Sequence, residues 1–168
     1  MKPQARVKQG KGLRTTVYLL IAAAVLLGIA MYSPLLKTPA LEDGKPARVK
    51  VDRAKLEVQV VGNDQSRSRG LAGTPSLDES HGMLFLFPSA QQPAIWMKGV
   101  QYPIDIIWIN NGTVIEVTPN VPPVAAGTPD AAMPLYQPAG VVTQVLEVAA
   151  GWAARNNVQP GDPLRVLR

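Results

Sequence analysis

Two carboxylates stand where a sequence of this kind rarely places them. Asp105 interrupts the run Pro103-Ile104-Asp105-Ile106-Ile107-Trp108, which is otherwise apolar on both faces. Glu147 interrupts Val145-Leu146-Glu147-Val148. An acid buried without a partner is costly, so Asp105 must be paired or hydrogen-bonded, and Arg69 and Lys98 are the expected partners. One reading collects Arg69, Lys98, Asp105 and Glu147 around a pocket, with Trp96 or Met97 as its apolar wall. The other makes Asp105 a structural pair that fixes a turn against a sheet. Strand alternation puts Glu147 on the face opposite Leu146 and Val148, where a solvent-facing side chain is the simpler expectation. Two carboxyl groups can also perform acid–base glycoside hydrolysis, if they face each other across a cleft.

The remaining chemistry-bearing residues offer less. The chain has no cysteine, which excludes disulfides, thiolate metal sites and a catalytic thiol. His81 is the only histidine, lacks acids at ligand spacing, and is expected to shape the turn before Gly82. Ser66, Ser68, Ser76 and Ser80 lie near it, without any sign of a nucleophile elbow. Met83, Phe85 and Phe87 suit a core better than a cofactor box. Trp96, Trp108 and Trp152 can stack on a sugar ring or serve as core and rim aromatics. No catalytic constellation, cofactor or metal site is therefore expected.

Charge removes a nucleic-acid reading. Residues 1–14 carry Lys2, Arg6, Lys8, Lys11 and Arg14 with no acid, which accounts for the whole net charge of +5. From residue 15 onward, 12 basic residues balance 12 acidic ones, so the folded part has no net field to draw phosphate backbones. A local cluster of Lys45, Arg48, Lys50, Arg53 and Lys55, interleaved with Asp52 and Glu57, is read as a solvated strand face.

The elements that position these residues begin with a membrane anchor. Val17 to Leu36 is a 20-residue run of largely apolar character. At ~1.5 Å rise per residue it spans roughly 30 Å, the thickness of a hydrocarbon core. Gly28-Ile29-Ala30 and Thr38-Pro39-Ala40 are poor cleavage sites, so an uncleaved signal-anchor is expected. The positive-inside rule then gives a single-pass protein with a cytoplasmic N-terminus and an extracytoplasmic C-terminal domain. The expected layout is a basic tail at 1–14, a transmembrane helix at 15–36, a tether at 37–48 and a mainly β domain at 49–168.

Within that domain the pattern is one of short strands. Lys55 to Val60 alternates polar and apolar residues, the period of a half-buried strand. Asn63-Asp64 caps a helical turn through Arg67 to Leu71 that Gly73 stops. Met83 to Phe87 suits a buried strand ended by Pro88, and further strands are expected at Ala94–Lys98 and Ile104–Ile109. Asn110-Asn111-Gly112 predicts a hairpin turn into Thr113–Val117. Residues 118–140, with six prolines, are too long for a plain connection. Val141–Val148 and Leu164–Leu167 complete roughly seven strands, with two or three short helices, one of them at Ala149–Asn156.

Four stretches give the domain a family resemblance. They are Arg69-Gly70-Leu71 with Ser76-Leu77, and Gly82 through Phe87. Trp96-Met97-Lys98 with Pro103 through Ile109 follows, and then Val145 through Gly151 with Gly161-Asp162. In this order and spacing they resemble the bacterial and archaeal domain of unknown function 192, over about residues 54–167. The resemblance implies a mainly β domain of β-sandwich or jelly-roll type and no established activity. Gly99-Val100 and Thr74 depart from that pattern, which often has Asn or Asp-Met and arginine there.

The expected function is a non-enzymatic module that binds a small polar ligand or glycan outside the membrane, using Arg69, Trp96, Lys98, Asp105 and Glu147. The alternatives are a protein-partner domain whose contact surface is the proline-rich loop 118–140, and a hydrolase using Asp105 and Glu147.

Overall fold

In the computed structural model the described residues are Tyr18, Ile21, Ala22 and 40–167. The expected membrane anchor falls almost wholly outside them. Among the described residues no helix is long and apolar enough to cross a membrane.

The alternating pattern of Ala54–Val61 forms β2, which pairs antiparallel with β1, Pro46–Val51. β1 thus begins inside the stretch expected to be a tether. Helix α1, Asp64–Arg69, crosses over to β3, His81–Gln91, which lies parallel to β2. Pro88 does not end β3 as expected. The strand continues past it through a register shift between Leu86 and Gln91, an irregularity that absorbs a residue unable to donate to a ladder. β4, Ile104–Asn110, turns through Asn111 and Gly112 into β5, Thr113–Val121. Both turn residues have positive φ, +48° and +75°, the geometry that Asn-Gly tolerates best. β6 is Val142–Ala149, helix α2 is Trp152–Arg155 and β7 is Leu164–Val166. The expected strand at Ala94–Lys98 is absent. That segment makes a single bridge, Ile95 to Tyr136, because Pro93 and the positive-φ Gly99 bound it too closely.

The seven strands form one sheet in the order β5-β4-β6-β3-β2-β1-β7. The two-sheet sandwich implied by resemblance is therefore replaced by a single sheet that curls on itself. Its outer strands approach at one end. The Val114 amide donates to the Asp162 carbonyl at 2.9 Å, and the Leu164 amide to the Gly112 carbonyl at 2.8 Å. Curling makes two apolar faces. The concave one holds Val49, Val58, Leu84, Ile107, Ile109, Leu146, Val148 and Trp152. The other holds Met83, Phe85, Ile104, Ile106, Trp108 and Val145, covered by Leu71, Ile95, Met97 and Val100. A sheet buried on both faces explains why β4 is apolar at successive positions instead of alternating. All of this lies in the compact unit Pro39–Arg168.

Candidate functional site

Residues opposite one another in adjacent strands share a face. Asp105 pairs with Val148, and Ile106 with Glu147. The two carboxylates are therefore one step apart in register and emerge on opposite faces. That arrangement removes the proposed hydrolytic pair, which needs both groups on one side of a cleft.

Asp105 is fully buried on the concave face. Its Oδ1 accepts from the amides of Asn120 at 2.9 Å and Gly151 at 3.0 Å, and its Oδ2 from Ala153 at 2.9 Å. Two of these donors open the α2 turn and the third lies near the end of β5, so one carboxylate ties the end of β5 to the segment after β6. Arg69 and Lys98, its expected partners, do not reach it. Lys98 pairs instead with Asp130 at 2.6 Å and lies 5.1 Å from the centre of the Trp96 ring. Backbone amides are invisible in a sequence read for charged partners.

Glu147 sits on the other face between Met83 of β3 and Ile106 of β4. It is 4% exposed, not solvent-facing as alternation suggested. The alternation was read correctly, but both faces of β6 are covered. Among the described residues no hydrogen bond or ion pair reaches its carboxylate. Burial pushes its pKa up to about 8.

Glu147 lines a cleft of about 230 Å³. One wall is the end of α1 with Arg67, Ser68, Arg69, Gly70 and Leu71, and another is Pro93–Lys98 with Val100. Phe85, Phe87 and Ile104 close the rest. The size lies below the ~300–1,000 Å³ of drug-sized sites, which suits a metabolite-sized ligand. Of the five sequence-predicted residues, Arg69, Trp96, Lys98 and Glu147 are brought together here, whereas Asp105 is not.

Local interactions hold both walls. Asn63 caps α1, its Oδ1 accepting from the Ser66 amide at 2.9 Å, while Asp43 gathers the Gly62 and Asn63 amides and the Ser66 hydroxyl. The Arg67 guanidinium donates to the Leu86 carbonyl at 2.9 Å and to that of Gly62, and lies 5.4 Å from the Phe87 ring centre. Its neighbour Arg69 is exposed and has no partner among the described residues. Arg67 was missed as a wall residue; residues two apart point to different sides of a helix, so Arg69 gave no signal for it. Gly70 has φ +49°, and a Cβ there would meet Phe85 Cζ at 3.4 Å, so this turn favours glycine. The second wall is fixed by paired Ile95–Tyr136 backbone bonds of 2.9 and 2.8 Å. Those bonds also tie down part of the proline-rich loop, leaving Leu135 61% exposed.

His81 shapes its turn as expected, its Nδ1 lying 2.8 Å from Asp78 Oδ1 and 3.0 Å from Ser80 Oγ. Serine and aspartate meet the same ring nitrogen, so no relay runs from acid through base to nucleophile. Among the described residues no group of three or more His, Asp or Glu is placed to hold a metal ion. Trp108 donates to Thr118 Oγ1 at 2.8 Å and Trp152 to the Glu79 carbonyl at 3.0 Å, both as core aromatics.

Comparison with solved structures agrees with this fold. A protein of Sinorhizobium meliloti, provisionally described as a transcription regulator, is 27% identical, with a TM-score of 0.66 over 76% of this chain and 98% of its own. A protein of unknown function from Novosphingobium aromaticivorans is 23% identical, with a TM-score of 0.64 over 77% of this chain and 94% of its own. No curated protein matches the chain. Residues 47–166, from β1 through β7, match the family DUF192, described as an uncharacterized ACR, and the chain belongs to that family.

Proposed function

We propose that this domain is a non-enzymatic binding module that takes a small polar ligand in the cleft between α1, β3 and Pro93–Lys98. The observation that carries the reading is Glu147, a buried carboxylate without a protein partner on the floor of an open, aromatic-walled cleft. Such a group is costly to the fold alone, and a bound polar group offsets that cost. Arg69 supplies a second free polar group at the rim, and Trp96 and Phe87 supply flat apolar walls. The unbroken apolar run after a basic tail supports a location outside a membrane to which the chain is anchored by its N-terminus.

A thermal-shift screen of residues 39–168 against sugars, amino acids and nucleotides tests the reading. A ligand at ~100 times its Kd adds about 2.7 kcal/mol. In a domain of this size that raises Tm by roughly 3–6 °C. The expected shift is abolished by Trp96→Ala or Arg69→Ala. Silence across the panel, or a shift that both variants keep, overturns the assignment to this cleft.

A further inference from the structure

The cleft is electrically lopsided along its depth. Three cations line it, but two are engaged: Arg67 by the Gly62 and Leu86 carbonyls and Asp64, and Lys98 by Asp130. Among the described residues only Arg69 of the three stands without a partner. At the floor the single carboxylate, Glu147, is also without one. Between them lie apolar side chains, Leu71, Met97, Val100 and Ile104, and the rings of Phe85, Phe87 and Trp96. The bonds just named engage Arg67 and Lys98, and among the described residues no ion pair joins a cation of the cleft to Glu147.

Resting on the binding-module reading above, we infer that the ligand is a small zwitterion, an ammonium group joined by a short apolar stem to an anionic group. The ammonium end sits on Glu147 and the anionic end on Arg69. Each end then meets the opposite charge, the stem meets methyl and ring surface, and no buried charge remains unpaired. Aromatic walls add to the preference, since ring faces attract cations, as Arg67 over Phe87 and Lys98 over Trp96 already illustrate. A ligand in the reverse orientation would place its cation against the Arg69 guanidinium.

One consequence separates this ligand class from a neutral sugar. The titratable groups around Glu147 are the three cations of the cleft and Tyr102, whose phenol burial, and then the charge of Glu147, pushes up. Burial keeps Glu147 largely protonated at neutral pH, so an arriving ammonium must displace its proton to solvent. A hydroxyl ligand accepts a hydrogen bond from the protonated acid and displaces nothing.

Calorimetry of the full chain in neutral detergent at about pH 7 tests this, using 6-aminohexanoate, hexylamine, hexanoate and 1,6-hexanediol in two buffers of different ionisation enthalpy. The expected order is 6-aminohexanoate, then hexylamine, with the other two weakest. The buffers should report release of most of one proton per ammonium bound. Glu147→Gln should lower affinity for both amines at least tenfold and abolish proton release. Arg69→Ala should reduce 6-aminohexanoate to the level of hexylamine, which itself is unchanged. Binding of the diol at least as tight as that of the amines, without proton release, overturns the zwitterion while leaving a binding module. Failure of all four probes also overturns it. If the wider thermal-shift panel is silent as well, the binding module falls with it.

Discussion

Asp105 and Glu147 lie on neighbouring strands, one register step apart, and both are almost wholly removed from water. Yet one is saturated and the other is bare. Asp105 collects three backbone amides from the end of β5 and the start of α2, which converge on the concave face. Glu147 collects nothing and instead looks into a cleft. The difference shows that burial of a charged residue has two distinct meanings within a few ångströms of sheet. Where amides converge, the carboxylate is a structural tie whose removal orphans its donors. Where nothing converges, the fold bears an energetic cost that the carboxylate relieves by holding its proton.

The largest expected effect breaks the first half of that contrast. Asp105→Ala leaves three amides without their acceptor on the buried side of the sheet, each costing about 1–3 kcal/mol where water cannot reach it. A total loss of ~3–5 kcal/mol in urea denaturation is expected, a large part of a small domain's stability. Asp105→Asn keeps one acceptor oxygen, which suffices for Asn120 and Gly151 but turns an amide donor toward Ala153, so its loss should be smaller. If Asp105→Ala loses less than about 1 kcal/mol, the tie contributes little and the contrast collapses.

The second effect has the opposite sign. Burial raises the folded pKa of Glu147 to about 8 from its ordinary value of 4.5. Between those two pH values the folded state holds a proton that the unfolded state has released. Stability should therefore fall as pH rises, by about 1.4 kcal/mol per pH unit from this group alone. Below pH 4.5 both states are protonated and the penalty vanishes. Glu147→Gln should equal the parent there and become progressively more stable than it toward pH 8. Unfolding free energies of both proteins at several pH values check this, and parallel profiles would mean that Glu147 is hydrated or paired in solution.

How far the sequence predicted this contrast depends on what kind of partner each residue has. An acid inside Ile104–Ile109 announced a buried carboxylate, and the hairpin at Asn111-Gly112 and the strand at Ala54–Val61 were legible from turn chemistry and period. Four of the five predicted residues line the cleft; Arg69, Trp96 and Lys98 were legible because they carry side chains that suit a pocket. What was not legible is set by backbone and by long-range covering. The amides of Asn120, Gly151 and Ala153 have no sequence signature, so Asp105 was assigned to lysine and arginine partners. The cover over Glu147 comes from Leu71, Met97 and Val100, far away in the chain, so local alternation pointed it to solvent. The opposition of the two acids follows from register between β4 and β6, which no local pattern specifies.

A third carboxylate gives the exposed reference, and the smallest effect. Asp78 is fully exposed, yet its pKa is drawn down to about 2, first by its bond with the His81 ring and then by the Ser80 hydroxyl and amide. Hydrogen bonding lowers this acid while burial raises Glu147, so the two causes are separated in one molecule. The same bond raises His81 above its ordinary value of 6.5. The contribution of Asp78 is complete above its ordinary value of 3.8 and is lost as pH falls through about 2. That of His81 is complete below 6.5 and is lost as pH rises through its raised folded value. Asp78→Asn should move the NMR titration midpoint of His81 back toward its ordinary value, with almost no change in stability, because water competes for every partner at this site. A midpoint that does not move would assign the raised pKa to Glu57, the one other acid acting on the ring. The exposed member would then cease to be a clean standard against which the buried pair is judged.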